Sequence, residues 1–134
     1  MKEVVFLDRA KHAIQALHFI QALSEGFLIG HKRGKRFYIE DILAVQKGFF
    51  PSPDDLLSLD VLYEHRIIGF FSKRDDQDIT QNILTPASYG KLFIHFRENH
   101  RKQLAWKASV IEYNQNFFLQ PLHLSAGLME DDNE

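Results

Sequence analysis

The sequence predicts a mixed α/β domain in which a mixed β-sheet is flanked by helices. Short apolar runs, closed by glycine or by polar turns, read as strands. A longer segment from Ala10 repeats its apolar residues at helical spacing. The order is strand, helix, hairpin, helix, strand and then further strands, which suits one sheet with helices packed on it. The 134 residues contain no repeat and no linker, so one domain is expected over 1–124, followed by an acidic, flexible tail over 125–134.

Val4 to Leu7 is a short apolar run at the position of an edge strand. Asp8 then offers an N-cap oxygen. Ala10, Ala13, Ile14, Leu17 and Ile20 recur on one helical face, and Phe19, Ala22 and Leu23 widen it, so the helix is expected to reach about Ser24. Gly26-Phe27-Leu28-Ile29-Gly30 reads as a buried strand between glycines. His31 to Arg36 forms a hairpin turn with Gly34 at the strained position, and Phe37 to Val45 returns as a strand broken at Glu40-Asp41.

Ser52-Pro53-Asp54-Asp55 is a strong helix start. Serine caps, proline fits the first turn, and the acids complement the positive end of the helix dipole. Leu56, Leu59 and Tyr63 then share a face. Ile67 to Phe71 is a second buried strand, Lys73 to Gln77 a charged loop, and Ile79 to Leu84 a short helical stretch stopped by Pro86. Lys91 to Phe96 is a strand. Leu104 to Tyr113 and Phe117 to Leu122 make a hairpin around Asn114-Gln115-Asn116.

Composition excludes several classes. Lys plus Arg is 16 and Asp plus Glu 18, a net charge of −2, so there is no global drive toward nucleic acid or anionic membranes. The absence of cysteine excludes a disulfide framework, a thiolate zinc site and a thiol nucleophile, and it suits the reducing cytoplasm. No apolar run has the length of a membrane span. Phosphate-loop, dinucleotide-binding and nucleophile-elbow motifs are all missing.

Gly26-Phe27-Leu28-Ile29-Gly30 after a helix, and later Ile67-Ile68-Gly69-Phe70-Phe71 after another, give the chain a resemblance to the JAB1/MPN/Mov34 domain family. The likeness runs from about Val4 to Leu122. It implies the MPN architecture, a cytidine deaminase-like sheet with helices. Active members are JAMM zinc proteases, in which two histidines and an aspartate hold zinc and a glutamate serves as general base.

The family histidines lie three and five residues after the strand glycine, where this chain has Ser72 and Arg74. A serine hydroxyl is a poor zinc ligand, and arginine cannot deprotonate. The aspartate position falls near Thr85, with Asp75, Asp76 and Asp78 earlier. The glutamate position is Leu23. Glu25, two residues on, is expected to face the same side as Leu23 if the strand has already begun. The resemblance thus implies an MPN-like domain without the metal motif and without a cofactor.

Family members of that kind act as partners in heterodimers or larger assemblies. The expectation is therefore a non-catalytic scaffold that binds a protein partner or itself, through Phe49, Phe50, Pro51 and Pro53 and through the edge strands. One alternative is a divergent, isopeptidase-like zinc hydrolase with shifted ligands drawn from His65, His95 and Asp75 to Asp78, with Glu25 as base. A second is phosphate or nucleic-acid binding by two basic turns. One is His31 to Arg36, with Arg33 and Arg36. The other contains Arg97, His100, Arg101 and Lys102. No aromatic side chain is interleaved in either for base stacking, so nucleic acid is not the expected partner.

Overall fold

The computed structural model describes residues 3–20, 23–46, 51–73, 83–98, 101 and 103–128, with backbone only over 123–128. Its elements are β1 (Glu3–Phe6), α1 (Asp8–His18), β2 (Leu23–Arg33), β3 (Arg36–Gln46), α2 (Pro53–Leu62) and β4 (Ile67–Ser72). A 3₁₀ turn (Pro86–Ser88), β5 (Leu92–Glu98), β6 (Leu104–Asn114) and β7 (Asn116–Leu128) follow. The seven strands form one mixed sheet in the order β1-β3-β2-β4-β5-β6-β7. The β1–β3 and β4–β5 pairs are parallel and the rest antiparallel.

The sheet curls until its outer strands, β1 and β7, touch. The Phe6 ring meets Trp106 edge-on at 5.0 Å between centroids. α1 lies against one face, where Ala10, Ile14 and Leu17 pack with Leu28, Phe71, Ile94 and Phe96. α2 and the 3₁₀ turn cover the other face, where Leu56 packs with Phe27, Phe70, Ile83 and Ile111. Adjacent residues Phe70 and Phe71 thus anchor opposite cores, as strand alternation requires.

The sheet is closely packed at its glycines. A Cβ on Gly69 would stand 2.5 Å from the Leu92 carbonyl oxygen, so any side chain there collides with β5. Gly34 turns the β2–β3 hairpin with φ +62°. The start of α2 is as expected, with the Ser52 side chain accepting from the Asp55 N–H at 3.3 Å. The break at Glu40-Asp41 is a β-bulge. Ile29 pairs with Asp41 and Gly30 with Ile39, leaving Glu40 as the extra residue within a continuous β3.

Several expectations are corrected. α1 ends at His18, well short of Ser24. Asp8 is its first residue and not its cap, since Leu7 holds the N-cap position. Long-range contacts explain the early stop. The Lys73 ammonium donates to the carbonyls of Leu17 and Ile20 at 2.7 and 3.0 Å, and Leu23 is taken into the ladder opposite Gln46. β7 runs to Leu128, paired with Ala105, so residues 125–128 are strand and not tail. Residues 129–134 lie outside the described residues.

Candidate functional site

The end of β4 holds the first position the family resemblance singles out. Ser72 is fully buried. It pairs with Glu25 across the β2–β4 ladder and with His95 across the β4–β5 ladder. Residues opposite one another on neighbouring strands project to the same face, about 5 Å apart. Glu25, Ser72 and His95 therefore form one row across three strands. Glu25 is itself buried, and each of the three has a polar or ring partner.

Glu25 reaches that row through an irregularity with no sequence marker. Leu23 pairs with Gln46 and Glu25 with Val45, so Ser24 is an extra residue in β2. Leu23 and Glu25 consequently face opposite sides, contrary to the alternation expected of a regular strand. Leu23 packs toward the α1 core. The Lys73 N–H then donates to the Ser24 carbonyl at 2.7 Å, drawing the end of β4 against the bulge. Burial holds the Lys73 ammonium below the ordinary lysine range.

The remaining sequence-derived residues are dispersed. Thr85 opens the 3₁₀ turn, its hydroxyl 3.4 Å from that of Ser88. His65 precedes β4, whereas His95 pairs with the far end of that strand, so one metal ion cannot reach both. Among the described residues no group of three His, Asp or Glu side chains is arranged to hold a metal. Arg74, Asp75, Asp76, Asp78, Phe49 and Phe50 lie outside the described residues.

The two basic turns lie at opposite ends of the sheet. The β2–β3 hairpin adjoins the start of β4, and Arg97 lies near the end of β5, which runs parallel to β4; His100 and Lys102 lie outside the described residues. They do not form one surface. Arg33 is exposed at the hairpin tip, while Arg36 is paired with Glu3 at 3.1 Å.

A surface the sequence reading did not single out lies on α2. Pro51 and Pro53 lead into this helix, whose inward side presents Leu56, Leu59 and Tyr63. Its outward side carries three large apolar residues, Leu57, Val61 and Leu62, exposed at 53%, 66% and 74%. Asp54, Asp55 and Ser58 share that side, so the exposed apolar residues stand among polar ones near the end of the helix. Beside it, Pro86, Tyr89, Tyr113 and Phe117 line an apolar groove of about 320 Å³. The signal was present as consecutive leucines, Leu56-Leu57, but the helical-face count used only one of them.

Compared with protein-family models and with curated proteins, the chain matches none. No helix among the described residues is long and apolar enough to cross a membrane.

Proposed function

We propose that the chain is an MPN-like interaction domain that pairs with a second copy of itself through the outward face of α2. The observation that carries this reading is the exposed trio Leu57, Val61 and Leu62 on a helix that already buries its opposite face. Leu57 and Val61 are spaced i, i+4, so a two-fold axis beside α2 sets the same stripe against itself and buries both. The order of elements supports the MPN assignment, as does the placing of Glu25 beside Ser72 on adjacent strands. Serine at that position, where the active family has a metal ligand, supports a binding role over hydrolysis.

Native mass spectrometry of protein purified without chelator tests both halves. A metal-free dimer that Val61→Glu converts to a folded monomer is the expected result. A monomer at tens of micromolar overturns self-pairing. One tightly held zinc per chain overturns the non-catalytic reading.

A further inference from the structure

A second cavity, of about 490 Å³, opens where β4 begins, at the end of that strand away from Ser72 and next to the apolar groove, with which it shares Tyr89. That size suits a small molecule. Its walls come from β2 and β3, from the turn after α2, and from the segment before β5. Two β-bulges lie beside it, Glu40 in β3 opposite the Ile29–Gly30 step of β2 and Ile68 in β4 opposite the preceding Leu28–Ile29 step. Glu64 and His65 follow with φ of 56° and 61°. Residues held in the left-handed region, and bulges, gather where a fold shapes a site.

The lining has a definite sign. His31, Lys32, His65, Arg66 and Lys91 face the cavity, and Glu64 is the one carboxylate among them. The neighbouring acids stand behind this layer in two matching groups. Glu40 pairs with Arg66 and lies 3.6 Å from His31. Asp60 lies 3.5 Å from Lys91 and 2.9 Å from His65. In each group the histidine is more exposed than the carboxylate, at 49% against 30% and 74% against 19%. Each carboxylate already neutralises a permanent cation. Lys32 stands over the Phe37 ring at 5.1 Å. Tyr89, largely exposed, makes an aromatic wall.

We propose that this cavity binds a small phosphorylated molecule, with its phosphoryl group held by His31, Lys32 and His65 and its body against Tyr89. The charge count favours a dianion and makes binding depend on proton uptake. With both histidines neutral, Lys32, Arg66 and Lys91 balance Glu40, Asp60 and Glu64. Protonating His31 and His65 adds charge that no further nearby carboxylate takes up among the described residues. His31 is faced by Tyr38, stacked at 4.9 Å, by Glu40 and, beyond that carboxylate, by Arg66. His65 is faced by Asp60 and Lys91. A charge-assisted hydrogen bond gained on protonation strengthens anion binding by about tenfold.

The test is an NMR titration of the full chain with sodium sulfate, a dianion throughout, at pH 5.5, pH 7.0 and pH 8.0, and with phenyl phosphate at pH 7.0. Saturable shifts at residues 30–32, 64–68 and 89–91 are expected. Sulfate should bind about tenfold more tightly at pH 5.5, and phenyl phosphate more tightly than sulfate at a common pH. His65→Gln and Lys32→Ala should each weaken sulfate by about tenfold at pH 5.5 without lowering the melting temperature. Arg33→Ala, at the hairpin tip outside the cavity, should leave binding unchanged. No saturable shift in the millimolar range overturns the proposal, as does equal weakening by Arg33→Ala. Sulfate affinity equal at the two pH values overturns the histidine role.

Discussion

The two faces of the sheet carry helices of similar length that are finished differently. α1 buries Ala10, Ile14 and Leu17 and turns Arg9 and His12 outward. α2 buries Leu56 and turns Leu57, Val61 and Leu62 outward. α1 itself turns no large apolar residue outward, although Phe19 at its C-cap and Ile20 beyond it are exposed. α2 has a buried inner side and an outer side on which three large apolar residues stand among Asp54, Asp55 and Ser58. Core formation within the chain therefore does not explain the outer Leu57, Val61 and Leu62, and the proposed pairing rests on that difference.

The comparison is most strongly tested at Phe70 and Phe71, both fully buried but in opposite cores. Each change to alanine should cost about 3–5 kcal/mol, read from urea midpoints. A Phe70→Ala cost below about 1 kcal/mol would show that the α2 side is not a packed core and would break the comparison. Next in size is Gly69→Ala. The added methyl meets the Leu92 carbonyl, and a loss of about 1–3 kcal/mol is expected in the same assay.

A smaller effect separates rim from core. Arg66 holds the Glu40 carboxyl below the usual carboxylate range. A depressed folded value means the pair stabilises above the unfolded carboxyl pKa, and the contribution is lost as pH falls through the folded one. Glu40→Gln should therefore destabilise by about 1 kcal/mol at pH 7, with the gap closing below about pH 4. Denaturant unfolding at both pH values checks this, and a gap that persists at low pH would contradict it. The smallest change is a gain. Glu64 occupies the left-handed position after α2, where the His65 N–H reaches the Asp60 carbonyl at 2.7 Å and the Glu64 N–H reaches that of Val61 at 3.0 Å. Glu64→Gly should raise stability by about 0.5–1 kcal/mol in thermal melts, because glycine has no Cβ to strain there.

What could be read in advance was local chemistry. Ser52-Pro53 marks a helix start, Gly34 a turn, and the Phe70-Phe71 pair a strand between two cores, because neighbouring residues decide each of them. The end of α1 was not legible. Phe19, Ile20 and Leu23 continue a helical period, and the stop comes from Lys73, more than fifty residues away. The side on which Glu25 lies depends on an extra residue at Ser24 that carries no glycine or proline signal. The charged cavity draws its walls from four separate stretches of chain, so the pairing of His31 with Glu40 and of His65 with Asp60 emerges only once the strands are in register.

Pro121 lies in β7, the last strand in the sheet order, and the β6–β7 register breaks between Lys107 and Ser109. Proline offers no N–H, and a broken register bends the strand, so the edge is interrupted at that point. β1, the strand at the other end, spans only Glu3–Phe6. Among the described residues, both features work against edge-to-edge strand addition. The proposed pairing through the α2 face would be a two-fold contact that closes on itself, so its expected product at high concentration is a finite particle.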